Sequence, residues 1–456
     1  MFNKTQGKKI YKPSNIAIFF FILFFVLSTI NICISANDSI IQINSNNYLI
    51  HEYPAIAITN DTIHVVWDTQ FQDGKTLINY SKSIDNSNIW SESIILSDNT
   101  NTAYYPVIAA YDSKVTVIWI DFRDDNSEIY QTRSVDNGRT WTKSERITFN
   151  STRKTCIYDL QLKNQNNNLY LVWKDYRSGS SEIFFKKSTD FGITWDEDKR
   201  LTFDYTPSYF PSFTIKDDDI FIVYEDGGTS PDVYFLKSTD LGESWSDKRP
   251  VSSINSSVKS QKPDICISDE YIYCIWHADK TGEKQLYFSK SLDNGETWTE
   301  EKQLTFNSKL SINPKIFAYS TNISLFFNEE LNGIFKIRYM QSNDSGESWG
   351  KPINISENDS YSHRFIVENN YIHHIWQEYT DLGIYKIMYH KNNDKINNEP
   401  ENNTEDANET KEKNDSNIID NKQDDQKTPG FEFSILILTT IILSLSYKLI
   451  NKKKRK

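Results

Sequence analysis

The sequence predicts an all-β chain closed into a seven-bladed β-propeller, and three observations carry that prediction. A turn pattern of the form S-x-D-x-G-x-x-W returns along the chain at a nearly constant interval. Strands that are apolar on both faces occur seven times. One strand needed to complete the last repeat is missing at its C-terminal side and is found instead near the N-terminus.

The turn pattern is clearest at Ser134-Val-Asp136-Asn-Gly138-Arg-Thr-Trp141. It returns with Asp190, Gly192 and Trp195, with Asp240, Gly242 and Trp245, with Asp293, Gly295 and Trp298, and with Asp344, Gly346 and Trp349. A weaker copy carries Asp85 and Trp90, with Ser87 in the glycine position. Successive tryptophans are 51, 54, 50, 53 and 51 residues apart, the mark of one supersecondary unit repeated in an array. Such an Asp accepts backbone N–H groups across a turn, the Gly allows positive φ, and the Trp fills the gap between sheets. A role repeated in every unit is a building role, so these residues are expected to make the fold and not the chemistry.

Upstream of each turn lies an apolar strand ending in an aromatic: Ile63–Trp67, Val115–Trp119, Leu169–Trp173, Ile220–Tyr224, Ile272–Trp276, Ile323–Phe327 and Ile372–Trp376. Strands apolar on both faces belong in a stack of sheets. A shorter strand precedes each, often opened by proline (Pro54, Pro106, Pro211, Pro263, Pro314). A third strand runs into the turn, and a polar fourth follows the Trp, as in Glu145–Phe149 and Lys199–Phe203. Seven sets of the first three strands are followed by only six fourth strands. Ser39–Ile43 is the expected substitute, completing the seventh blade from the opposite terminus and removing an exposed sheet edge.

The repeated turn resembles the Asp-box, or BNR repeat, of the sialidase-like propellers. That resemblance implies a propeller fold. It implies catalysis only if the family's catalytic set is present: three arginines on the sialic carboxylate, a Tyr nucleophile activated by a Glu, and an Asp acid. Sialidase catalytic domains have six blades, so seven is a departure. The Arg-Ile-Pro signature common near the start of such domains is absent here.

The two ends read differently from the body. Lys4, Lys8, Lys9 and Lys12 precede an apolar run from Ile16 to Leu27, with Ile34-Ser-Ala36 as a cleavage site; residues 1–36 are expected to be a signal peptide, or else a signal anchor. The propeller is expected over 37–391. Residues 392–428 hold eleven acids, five bases and almost nothing apolar, which suits a disordered, self-repelling stalk. In 429–456, Pro429-Gly-Phe431 introduces an apolar segment and then Lys452–Lys456, as in a transmembrane helix with a basic stop. The combination also resembles the archaeal PGF-CTERM sorting signal, which implies removal of the helix and transfer to a lipid anchor. Either way, the body is expected at the cell surface, outside the plasma membrane. Sequons at Asn60, Asn322, Asn402 and Asn414 fit a surface glycoprotein.

Net charge is −12; the first 36 residues carry +4 and the last 28 carry +5, leaving −21 between them. That sign argues against nucleic acid as a partner. Cys266 and Cys274 lie on two arms of one hairpin, where a bridge and a pair of buried free thiols are both open readings. No Cys/His spacing suggests a metal site, and no cofactor is expected.

Candidate chemistry falls in the loops after each second strand, which should open around the central channel opposite the Asp-boxes. Those positions read Asp68, Asp121, Asp175, Glu225, Asp279, Glu329 and Glu378, joined by Arg123, Arg177 and Arg364, with Tyr53, Tyr105 and Tyr209 nearby. They predict an acidic binding mouth. The acids and arginines would pair to fix the blades, or would bind a sugar or a cell-surface protein, or would form a glycosidase site. An acidic rim would disfavour an anionic sugar. The sequence therefore favours a membrane-anchored monomer that binds glycan or protein, with exo-sialidase-like hydrolysis as the alternative.

Overall fold

The computed structural model describes residues 40–392, apart from short segments at 45–49, 60–61, 84, 86–88, 99–101, 125, 150–155, 255–256, 269–270, 307–308, 369–370 and 381–382. The expected signal segment, stalk and C-terminal membrane segment lie outside the described residues.

Seven four-stranded antiparallel sheets form the blades. Blade 1 comprises Ile50–Thr59, Thr62–Gln70, Thr76–Ser83 and Ile94–Ile95; blade 2 comprises Ala103–Tyr111, Lys114–Asp121, Glu128–Ser134 and Glu145–Arg146. Blades 3, 4, 5 and 6 repeat this order, their first strands being Ile157–Gln165, Ser208–Lys216, Ser260–Ile267 and Ser311–Tyr319. Blade 7 holds Asp359–Glu368, Tyr371–Tyr379 and Tyr385–Lys391, and its fourth strand is Ile41–Gln42. Ile41 pairs with Tyr389 and Gln42 with Met388, and the Ile43 N–H donates to the Ile387 carbonyl at 2.9 Å. The N-terminal strand closes the ring as the sequence predicts.

What holds one blade to the next is apolar. A buried cluster bridges every consecutive pair, and the cluster joining blade 7 to blade 1 unites Ile375, Ile387 and Tyr389 with Ile56, Val65 and Trp67. The second strands supply the centre of each cluster. Trp67, Trp119, Trp173, Tyr224, Trp276, Phe327 and Trp376 are all at most 1% exposed, each worth roughly 1.5–3 kcal/mol by burial.

The Asp-boxes are the second joint. In blades 2 to 6 the box Ser hydroxyl accepts the Gly N–H at 2.8 or 2.9 Å and donates to the Asp carboxylate at 2.7 or 2.8 Å. That carboxylate also takes the N–H and the hydroxyl of the residue four positions on, for example Thr297 at 2.8 and 2.5 Å. These donors, the hydroxyl first, hold Asp240, Asp293 and Asp344 down at about 2. Each box Trp then reaches back to the preceding blade. Trp141 meets Tyr80 at 4.9 Å, Trp245 meets Phe185 at 5.2 Å, Trp298 meets Phe235 at 5.4 Å and Trp349 meets Phe288 at 5.5 Å. Trp195 donates to Gln131 at 3.0 Å. In blade 1, Asp85 accepts the Ile89 N–H at 2.7 Å, and Trp90 packs on Tyr389 of blade 7.

Cys266 and Cys274 are buried free thiols. The register explains why they do not meet: Cys274 faces Ile265, and Cys266 faces Tyr273. An offset of one residue puts the two side chains on opposite faces of the blade.

Candidate functional site at the channel mouth

The strand ends opposite the Asp-boxes surround a cavity of about 520 Å³ on the propeller axis. The first strands build it, through a backbone device repeated once per blade. The register between first and second strands slips at the same point in all seven sheets, which is a β-bulge. At each slip one residue takes a left-handed conformation: Tyr53, Tyr105, Asp159, Phe210, Lys262, Asn313 and Ser362, with φ between 48 and 56°. All seven line the cavity. None is glycine, so each bulge carries strain, on the order of 1 kcal/mol or more per residue.

Something must hold those bulges, and in blades 2, 5 and 6 the preceding blade's second strand does so. Asp68 accepts the Tyr105 N–H at 3.1 Å, Glu225 accepts that of Lys262 at 2.5 Å, and His277 accepts that of Asn313 at 3.3 Å. All three follow the buried aromatic of their strand and are themselves buried. Burial pushes the Asp68 carboxyl well up and raises Glu225 to about 7. In blade 3 the same position is Lys174, which pairs with Asp159 at 3.0 Å and lies over the Tyr158 ring at 4.8 Å.

Of the ten residues expected at the mouth, Arg364 lines this cavity; the other nine do not. Asp68 and Glu225 sit beneath it as the latches just described. Asp121 and Asp175 take the indole N–H groups of Trp119 and Trp173, at 2.9 and 3.1 Å. Arg123 is engaged by Asp121 and Asp98, and Arg177 by Asp175 and Asp198. Asp279 accepts the Lys259 N–H at 2.8 Å, Glu329 pairs with Arg338, and Glu378 accepts from Asn358 at 2.9 Å. The bulged first strands, not the ends of the second strands, point inward. The expectation of an acidic lining is corrected with them: Lys174, Lys262, Lys315 and Arg364 line the cavity with one carboxylate, Asp159.

Tyr53 and Tyr105, expected near the mouth, are there, edge to face at 4.4 Å; burial raises both phenols. The sequence reading missed Asp159, Lys174, Phe210, Lys262 and Lys315. Its available signal was the residue before each first-strand proline: Tyr53, Tyr105, Phe210, Lys262 and Asn313.

Fold and site together define a seven-bladed propeller whose repeated turns are similar to BNR repeats. A family model described as "BNR repeat-like domain" matches residues 162–374. Among solved structures, the chain is similar to a polysaccharide lyase of family PL25, an ulvan lyase bound to -[GlcA(1-4)Rha3S]-, with 14% identity and a TM-score of 0.56 over 76% of this chain and 94% of that one. It is also similar to a protein from Dyadobacter fermentans DSM 18053 (12% identity, TM-score 0.49, 77% and 98% covered) and to a sialidase mutant from Trypanosoma rangeli (13%, 0.44, 65% and 56%). No curated protein sequence matches the chain.

Proposed function

We propose that this protein is a cell-surface propeller that binds glycan in its channel mouth, tethered to the plasma membrane through its C-terminal segment and acting as a monomer. The observation that carries the reading is the axial cavity itself. It is about 520 Å³, walled by Tyr53, Tyr105, Tyr158 and Phe210, with Lys174 and Lys262 set against those rings and further polar groups beside them. Aromatic faces with a few convergent polar groups suit a ring that is apolar on its faces and hydroxylated at its edge. The fold is shared with a lyase whose structure holds an acidic saccharide, which supports a glycan over a protein ligand.

Exo-sialidase-like hydrolysis is the alternative. Against it stands the arginine count: among the described residues, Arg364 is the one arginine in the lining, while Arg123 and Arg177 are consumed by carboxylates of their own surroundings. A glycan array probed with the purified protein is expected to give ligands, while a fluorogenic sialoside stays intact. Release of product, lost in Arg364→Ala, would establish the alternative; an array with no ligand would remove the glycan reading.

A further inference from the structure

The cavity differs from one side to the other. Blades 1 to 4 contribute Tyr53, Tyr105, Tyr158 and Phe210 together with the paired Lys174 and Asp159, whereas blades 5 to 7 contribute Lys262, Lys315 and Arg364 with one phenol ring, Tyr361. Among the described residues, Lys315 has a carboxylate partner, Asp264 at 2.9 Å, but Arg364 and Lys262 have none within ion-pairing distance. The Arg364 guanidinium donates to the neighbouring His363 carbonyl at 3.1 Å, and the Lys262 ammonium lies 4.0 Å over the Phe210 ring. Asp159, the one carboxylate in the lining, is taken by Lys174. Two cations without a direct ion pair, on which Asp159, Glu225 and Asp264 act only at longer range, leave room for an anion from outside. Burial lowers the proton affinity of Lys262 and Lys315, a cost that a bound oxyanion offsets.

The aromatic side does not stop at the cavity. Tyr104 stands 6.0 Å from Tyr105 and meets Phe122 edge-on at 6.1 Å. On the next blades Tyr209 lies 6.4 Å from Phe210, with the Tyr176 phenol beside it. Phe122 and Tyr176 are 38% and 37% exposed, so aromatic faces continue outward over blades 2 to 4. A cavity within the usual range of about 300–1,000 Å³ takes one or two pyranose units. A longer ligand has a path out along those rings.

We propose that the cavity seats one acidic unit from the interior of an anionic polysaccharide, its carboxylate or sulfate ester on Lys262, Lys315 and Arg364, its neighbouring units along the aromatic path of blades 2 to 4. This rests on the glycan reading and names its ligand class: an internal acidic stretch and not a chain end.

The test is calorimetric titration of the full protein with oligogalacturonates of one to six units, the same oligomers reduced at the carboxyl to neutral sugars, and sulfated galactan oligomers. Affinity for the acidic series is expected to rise tenfold or more from monomer to tetramer and to fall tenfold or more on carboxyl reduction. Comparing the uronate and sulfate series identifies which oxyanion is preferred. Arg364→Met and, as a second variant should that one fail to fold, Lys262→Met should each cost tenfold for acidic oligomers and leave neutral ones unchanged. Phe122→Ala with Tyr176→Ala should weaken the tetramer several-fold and not the monomer. Equal binding of neutral and acidic oligomers would overturn the anion assignment while sparing the glycan reading. A monomer that binds as well as the hexamer would overturn the internal-stretch assignment. Absence of binding by every acidic oligomer would overturn both halves of this proposal, and only an array empty of all glycans would reach the reading beneath it.

Discussion

On the Asp-box face, Ser134, Asp136 and Gly138 of blade 2 make the same bonds as Ser188, Asp190 and Gly192 of blade 3, and so on to blade 6. On the channel face the backbone repeats just as faithfully, with seven left-handed bulges, but the side chains they carry read Tyr53, Tyr105, Asp159, Phe210, Lys262, Asn313 and Ser362. Where backbone and side chain both repeat, the residue builds. Where the backbone repeats and the side chain diverges, a fixed scaffold presents a variable surface. Four of the acids at the ends of the second strands build despite their chemistry, because Asp68 and Glu225 latch bulges and Asp121 and Asp175 satisfy indoles.

The largest expected departure from this symmetry is in acid. On the Asp-box side of the two blades that flank the closure, His64 bonds to Tyr80 and His373 to Tyr389, each at 2.7 Å; blade 4 has Phe221 and Phe235 in that place, stacked at 6.1 Å. Burial first, then Lys82 and Lys391 respectively, lower both histidines to about 4. Their folded values lie below the unfolded one of about 6.5, so their contribution is complete above pH 6.5 and is lost as pH falls toward 4. The loss is on the order of 3 kcal/mol for each. Thermal unfolding followed between pH 7 and 4 should show it, and His64→Phe with Tyr80→Phe, which gives blade 1 the pair of blade 4, should remove the His64 share, while His277, His363 and His374, which burial also lowers, keep theirs. An unchanged slope in that variant would place the acid sensitivity elsewhere.

Next in size is the joint itself. A Cβ on Gly295 would lie 2.3 and 2.4 Å from atoms of the Phe235 ring, at φ +84°. Gly295→Ala should therefore cost about 2–4 kcal/mol in urea unfolding, from left-handed strain and overpacking together, with ligand binding unaltered in the folded fraction. A cost below about 1 kcal/mol would mean that the blades are joined by their apolar clusters alone.

Much of this was legible in the residues, because periodic apolar strands and a turn motif with fixed chemistry leave few alternatives. The count of blades and the swap of Ile41–Gln42 into blade 7 both came from that arithmetic. The site was less legible. Asp121 and Asp175 look functional in a sequence, and only the fold shows that the indoles of Trp119 and Trp173 take up their acceptor capacity. Lys262 lies within the register slip of blade 5 and Lys315 ends that of blade 6, and a slip cannot be read from alternation, since one extra residue reverses which side chains point inward.

Glu225 tests whether the latches are structural. Burial raises its carboxyl to about 7 from 4.5. The neutral form is favoured in the folded state, so stability is greatest below pH 4.5 and declines as pH rises toward 7, by on the order of 3 kcal/mol. Glu225→Gln keeps an acceptor for the Lys262 N–H and cannot ionise, so it should be the more stable protein at pH 8 and no better at pH 4. A variant less stable at both would show that the negative charge is needed to hold Lys262.

The smallest effect is the most discriminating between the faces. Phe210 holds φ 48° at its bulge, a conformation glycine adopts freely. If its side chain were there to build the fold, Phe210→Gly would destabilise as a core deletion does, by several kcal/mol. Phe210 lines the cavity instead, so relief of strain should nearly cancel the lost contacts, leaving stability within about 1 kcal/mol while ligand affinity falls. The same substitution thus separates a residue the fold requires from one it merely presents, and unfolding and binding measured on one preparation decide which Phe210 is.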